Sequence, residues 1–323
     1  MDDLEARTSD RHHTQVRAQL GMVLAGIPAK TVEDLRPRHV VSYRNAQLKA
    51  GRSNRCANVH LQALKGMLRW AHAMGEITSN PIDGVKPLPT GERHATQHRR
   101  ALSEDEVVRF LTALDAEDRE LAKHFGYRVP QTPFFRALLE TGARYGELIT
   151  ASWSDLDLNP GKAAITLRAK NTKAGRKRTI PLTKAMVAAL EELPAYHELL
   201  NGMAPGPNDR IFLSPTGQPW CAPTNNVRRI LNRVLDAAGI PQRNDRGEKV
   251  DIHALRHCAI TRLARAGVPL AQVQAIAGHS DPKLTARIYT HLETDDLRSA
   301  VECLEPKPNA EPRPTPILER EAG

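Results

Sequence analysis

Hydrophobic positions divide the chain into two differently patterned parts. Leu61, Leu64, Leu68 and Ala71 recur at intervals of three and four, which places them on one face of a helix, with Gly75 as its stop. Val32, Leu35, Val40 and Val41 are read as earlier, shorter helices, and Asn80-Pro81 as the end of the unit. From Asp83 to Arg100 the pattern has no period, as expected of a linker. Periodicity returns at Ser103, where Ser103 and Glu106 form an S-x-x-E capping box ahead of Val107, Val108, Phe110 and Leu111. Thr132-Pro133 opens a further helix carrying Phe134, Phe135, Leu138 and Leu139, closed by Gly142. Residues Ala163–Arg168 and Arg178–Leu182 read as two strands around a basic turn, and Ile211–Leu213 as another short strand. Helices resume at Thr224 and fill most of the chain to about Leu304, and the proline-rich end is expected to be disordered. The expected architecture is mainly α. It comprises a helical domain over 1–88, a linker over 89–101, an α+β domain over 102–304 with a small antiparallel sheet, and a tail over 305–323.

Charge sharpens this picture. The chain has 323 residues and a net charge of +9, which favours a polyanionic partner. No acidic residue lies between Asp34 and Glu76, where Arg36, Arg38, Arg44, Lys49, Arg52, Arg55, Lys65 and Arg69 fall. A second acid-free stretch from Pro160 to Leu190 holds Lys162, Arg168, Lys170, Lys173, Arg176, Lys177, Arg178 and Lys184. A solvated surface usually mixes its signs because like charges repel, so two one-sign stretches suggest two surfaces on one polyanion. Cys56, Cys221, Cys258 and Cys303 form no CxxC pair, which speaks against a disulfide framework or a zinc knuckle and for a reduced compartment. The acidic, polar beginning lacks a signal-peptide layout, and no run approaches the ~18 apolar residues of a membrane span. A cytoplasmic, nucleoid-associated protein is expected.

Several residues have both an ordinary and a chemical reading. Arg144 follows Gly142 with Glu147 three residues on: a local surface ion pair, or a guanidinium fork for a phosphate. Asp251 can cap a helix bearing His253, Arg256 and His257. That helix is a polar surface, a phosphate-binding His–Arg pair or, from the four-residue spacing of the histidines, half a metal site. The metal reading lacks an HExxH glutamate and has Arg256 beside it to repel a cation. Lys173 is on the most basic turn of the chain, solvated or reaching into a DNA groove. His279 follows Gly278, and Tyr289 lies ten residues later in a late helix, where a packed aromatic is the ordinary reading. Together these residues supply every part of a covalent phosphoryl transfer: cations for the developing charge, a base, an acid, and a hydroxyl of pKa near ~10 that needs such help.

The segments TGARYGEL, TKAGRKRTIPL, HALRH and AGHSDPKLTARIYTHL resemble the sequential motifs of the tyrosine recombinases of the phage-integrase type, in order and spacing over about Leu102 to Leu304. Val32 to Pro89 resembles, more weakly, the helical core-binding DNA-binding domain of integrases. The resemblance implies that Arg144 and Arg256 clamp the scissile phosphate and that Lys173 is the general acid for the 5′ oxygen. It implies His253 as general base, His279 as a hydrogen-bond donor to the phosphate, and Tyr289 as the nucleophile forming a 3′-phosphotyrosine. It also implies no metal, no ATP and no other cofactor. Double-stranded DNA held in a C-shaped clamp is the implied partner, with a homotetramer on paired sites, a Holliday-junction intermediate and, in some members, accessory DNA-bending proteins. No separate arm-binding domain is expected in front. The sequence departs from the family pattern at Ala277, where leucine is frequent, and at Cys258, where a small hydroxyl residue is common; Lys170 is an alternative to Lys173. The segment with Leu292, Leu297, Val301 and Leu304 is expected to form a helix that packs on a neighbouring subunit. Two rival readings are a type IB topoisomerase and a non-catalytic DNA-binding protein of the same fold.

Overall fold

The computed structural model describes residues 10–91, 98–169, 172, 175–214, 217–220 and 226–289, without the side chains of Arg11, Asn226, Arg287 and Tyr289. Lys170, Lys173, the segment carrying Leu292, Leu297, Val301 and Leu304, and the tail 305–323 lie outside the described residues. The chain forms two compact units, Met1–His98 and Arg99–Gly323.

In the first unit three helices, α1 (Asp10–Gly26), α2 (Pro37–Lys49) and α3 (Asn54–Ala73), close on one apolar core. Leu61, Leu64 and Leu68 of α3 are buried in it, as their spacing requires. Ser53 caps α3, its hydroxyl accepting the Cys56 N–H at 3.2 Å, and Gly75 follows the end with φ 79°. Tyr43 of α2 enters the core and its hydroxyl meets His60 Nδ1 at 2.9 Å. Gly26 makes room for that ring, since a Cβ there would lie 2.5 Å from it. Two expectations are corrected. Val32 and Leu35 are in a turn, not a helix, with Leu35 N–H donating to Val32 O at 3.1 Å. Pro37 explains this: it bars the helical region to Arg36, which is extended. Nor does the unit end at Asn80-Pro81, because Ile82 and Val85 are buried in the same core. The Asn58 side chain then replaces a helix ladder, donating to Leu88 O and accepting from Leu88 N–H, both at 2.8 Å.

The second unit begins with Arg99 and Arg100, which the aperiodic pattern had put in a linker. Arg99 grips the Asp251 carboxylate at 2.8 Å and Arg100 grips Glu106 at 2.6 Å. Helix α4 (Glu104–Phe125) starts at the capping box, with Ser103 and Glu106 exchanging both bonds. Helix α5 (Thr132–Thr141) is buried almost all round. Its first N–H groups lack partners within the helix, and buried Asp118 of α4 supplies them, accepting from Gln131 and Thr132 N–H at 3.0 Å each. Beyond Gly142 come the short α6 (Tyr145–Ile149) and an antiparallel sheet in the order β1 (Leu156–Asp157), β2 (Ala164–Leu167), β3 (Arg178–Pro181). Ile165 faces Ile180 across the β2–β3 pair and both are buried.

Helices α7 (Lys184–Glu191) and α8 (Leu193–Asn201) follow. The strand expected at Ile211–Leu213 is instead a run of isolated pairings, Ser152 with Arg210 and Leu213 with Pro219. Helix α9 (Asn226–Ala237) is separated from α10 (Ile252–Arg265) by turns and bridges. Helices α11 (Leu270–Ala277) and α12 (Pro282–Tyr289) complete the described fold, with α10 packed on α5, α11 and α12. Leu68 is fully enclosed in the first unit, so Leu68→Ala is expected to cost about 2–5 kcal/mol, read as a lowered urea midpoint by circular dichroism. An unchanged midpoint would show that this core does not govern the unit's stability.

Candidate active site

The site is assembled at three chain reversals. Gly142 ends α5 in the left-handed conformation, φ 59°, which glycine adopts without a Cβ penalty. The chain turns at once into α6, whose N-cap residue is Arg144. Glu147 reaches back to it: Oε2 accepts the Arg144 N–H at 2.8 Å and Oε1 accepts Arg144 Nη1 at 2.9 Å. Glu147 is only 2% exposed, so this is not a surface pair. A second guanidinium, Arg178 from the start of β3, donates Nη2 to Oε2 at 2.6 Å and Nη1 to Oε1 at 3.2 Å. Burial alone pushes the Glu147 pKa up. The Arg178 hydrogen bonds and then the Arg144 N–H outweigh it and hold the group below the usual carboxylate range.

Helix α10 brings the third arginine. Asp251 caps it, accepting Ala254 N–H at 3.0 Å, and is itself held by Arg99. Arg256, one turn inside, is 2% exposed and donates to Gly142 O and, at 2.7 Å, to Ala277 O. The carboxyl end of α11 thus receives all three arginines on consecutive carbonyls: Arg178 Nε on Ile276 O at 3.0 Å, Arg256 on Ala277 O, and Arg144 Nη2 on Gly278 O at 3.4 Å. A helix C-terminus has unsatisfied carbonyls and a negative dipole end, which suits cations. Even so, three guanidiniums face one carboxylate. Burial, and next Arg144, push the Arg256 pKa down to about 9. The arrangement favours an additional anion.

The α11 end also sets His279. Gly278 has φ 64°, and a Cβ there would meet Arg178 Nη1 at 2.5 Å, so glycine is required both for the turn and for the guanidinium. His279 follows, with Nδ1 2.8 Å from the hydroxyl of fully buried Thr285 on α12. Its pKa is pushed down to about 4 by burial and then by Arg256 and Arg144. His253 reaches the surface in the first turn of α10, yet partial burial, with His257 next, also pushes it down to about 4. His253 and His257 stand edge to face with centroids 5.2 Å apart. Among the described residues no three His, Cys, Asp or Glu side chains are grouped to hold a metal, at this pair or elsewhere.

Three residues named from sequence, Arg144, Arg256 and His279, therefore meet at the end of α11, while His253 is on the same helix as Arg256 with its ring against His257. Tyr289 closes α12, its side chain outside the described set, as are Lys173 and Lys170. Sequence reasoning missed Arg178 and Thr285 as members. The signal for Arg178 was strand alternation: it shares a face with buried Ile180, so its side chain points inward.

A family model described as "Phage integrase family" matches residues 100–295. The chain belongs to this family, the tyrosine recombinases. It is a tyrosine-type site-specific recombinase. Similar proteins include the tyrosine recombinase XerC of Pseudomonas syringae pv. syringae strain B728a, 28% identical over 90% of this chain and 88% of that one. A XerC-like tyrosine recombinase of Caldanaerobacter subterraneus subsp. tengcongensis is 26% identical over 81% of this chain and 68% of that one. Among solved structures, the Tn1549 transposon integrase in complex with a circular intermediate DNA has a TM-score of 0.71 at 21% identity, covering 94% of this chain and 97% of that one. A lambda integrase tetramer bound to a Holliday junction has a TM-score of 0.65 at 20% identity, over 89% and 74%. These two establish likeness of fold. Among the described residues no helix of this recombinase is long and apolar enough to cross a membrane.

The two depressed histidines predict a pH dependence of stability. Their folded pKa values, about 4, lie below the unfolded value near ~6.5, so the unfolded chain binds more protons between these limits. Stability is then full above about pH 6.5 and falls as pH drops towards 4. The urea midpoint of the recombinase should decline over that window, and less so in His253→Gln/His279→Gln. An identical decline in that variant would assign the protons to other groups.

Proposed function

We propose that this recombinase cleaves and rejoins duplex DNA through a 3′-phosphotyrosine formed by Tyr289, as a homotetramer on paired sites passing through a Holliday junction. The observation that carries the reading is the convergence of Arg144, Arg178, Arg256 and His279 at the carboxyl end of α11, just ahead of the helix that ends at Tyr289. A cluster with more positive charge than Glu147 can neutralise is a preformed receptor for a phosphodiester. It fits better still the extra charge that builds on the non-bridging oxygens during displacement. Arg144 and Arg256 take those oxygens in this reading.

His279 contributes through its other nitrogen. With Nδ1 accepting the Thr285 hydroxyl proton, Nε2 carries the hydrogen and donates to the phosphate. His253 takes the tyrosine proton. In the chain without DNA its pKa of about 4 makes it a weak base, and the phosphate's negative charge raises it towards the working range. Lys173, which falls between β2 and β3 in the sequence, protonates the departing 5′ oxygen. Tyr289 attacks phosphorus and one phosphodiester becomes another, so the bond energy is kept and the 5′ hydroxyl of either duplex can reverse the step without ATP. No step requires a metal or another cofactor. The first unit, with its acid-free stretch from Leu35 to Gly75, is the second DNA-binding surface.

A duplex nicked close to the cleavage site loses a short fragment after cleavage and traps the covalent state. Incubated with it, the wild type should yield a protein–DNA adduct stable to denaturing electrophoresis, and Tyr289→Phe should yield none. An adduct surviving in Tyr289→Phe would overturn the assignment of the nucleophile.

A further inference from the structure

Arg178 belongs to the cationic cluster but is given no contact with the reacting phosphate above, and it is the most fully engaged of the three arginines. Its fork lies on both oxygens of Glu147 and its Nε on Ile276 O, with the side chain 10% exposed. Arg144 gives Glu147 a single side-chain bond and its backbone N–H, and has only a long contact of 3.4 Å to Gly278 O besides. Its Nε and its remaining Nη hydrogens have no partner among the described residues. The division matters because a buried carboxylate demands compensation: stripped of one partner, it draws in whatever cation remains. Gly278 belongs to the same device, since any side chain there would displace the Arg178 guanidinium.

We propose that Arg178 is a positioning residue that satisfies Glu147 with a bidentate fork and so leaves Arg144 free to bind the scissile phosphate. The proposal rests on the phosphate-clamp reading and deepens it. Without Arg178, Glu147 competes with the DNA phosphate for the Arg144 fork. Neutralising Glu147 removes that competition. The predicted relation between the two residues is therefore suppression, whereas two independent injuries to packing compound each other.

The test compares single-turnover adduct formation on the nicked duplex for wild type, Arg178→Met, Arg178→Lys and Glu147→Gln/Arg178→Met, with DNA affinity measured alongside. Arg178→Met should cleave about tenfold or more slowly, with affinity changed by less than about threefold, because Arg144 is misdirected while the many backbone contacts persist. The double variant should recover part of the lost rate. Arg178→Lys, which keeps the charge without the fork, should fall between wild type and Arg178→Met. The inference is overturned if Arg178→Met or Arg178→Lys cleaves at the wild-type rate, or if the double variant is no faster than Arg178→Met. A wild type that forms no adduct would instead remove the cleavage reading itself, and this inference with it.

Discussion

Glu147 is the constraint on which the site depends. It is a carboxylate almost wholly removed from water, and such a group is costly unless every lone pair is met. Meeting them recruits the N-cap of α6, the side chain of Arg144 and the fork of Arg178. Those partners come from separate elements of the second unit, so the ion network ties the α5–α6 turn to the edge of the sheet. The three arginines then extend the tie to successive carbonyls at the end of α11, and Arg256 adds a bond back to Gly142 O. The packing of α5 against α10, dominated by apolar side chains, holds these polar ends in register.

This order of dependence explains why the cluster has an excess of cations. An ion network built only for stability gains little over apolar packing, and a surplus of like charge makes it worse. Burial and neighbouring arginines depress Arg256 and His279, which is the electrostatic record of that surplus. In the proposed reading, a phosphate entering the cluster would relieve that repulsion. The helix end, the glycine turn at Gly278 and buried Thr285 keep the donors oriented, so little reorganisation accompanies binding.

Much of this was legible in the sequence where local chemistry decides structure. The Ser103–Glu106 capping box, the Gly142 stop and the Asp251 cap each specify a helix end by themselves. The pairing of His253 with Arg256 was readable from their spacing on one helix, whereas the meeting of Arg144, Arg256 and His279 comes from tertiary packing, which no local pattern encodes. Arg178 was counted with its basic neighbours as a polyanion-binding surface, although its alternation with Ile180 marked it as inward-facing. Helix α1 escaped notice because its apolar residues do not keep to one face: Leu20 and Val23 are buried while Met22 and Leu24 are exposed. The segment after Asn80-Pro81 read as a linker because its order comes from the Asn58 side chain and from Ile82 and Val85 entering a core built elsewhere.

The central claim is that Arg144 and Arg256 act on the negative charge of the scissile phosphate, and charge can be removed from the substrate instead of from the protein. Cleavage should be timed for wild type, Arg144→Ala and Arg256→Ala on a phosphodiester and on the same duplex carrying a neutral methylphosphonate at the scissile position. The account predicts that each variant is slower than wild type by about a hundredfold or more on the phosphodiester, and by far less on the methylphosphonate, where there is less charge to neutralise. Equal losses on both substrates would contradict it.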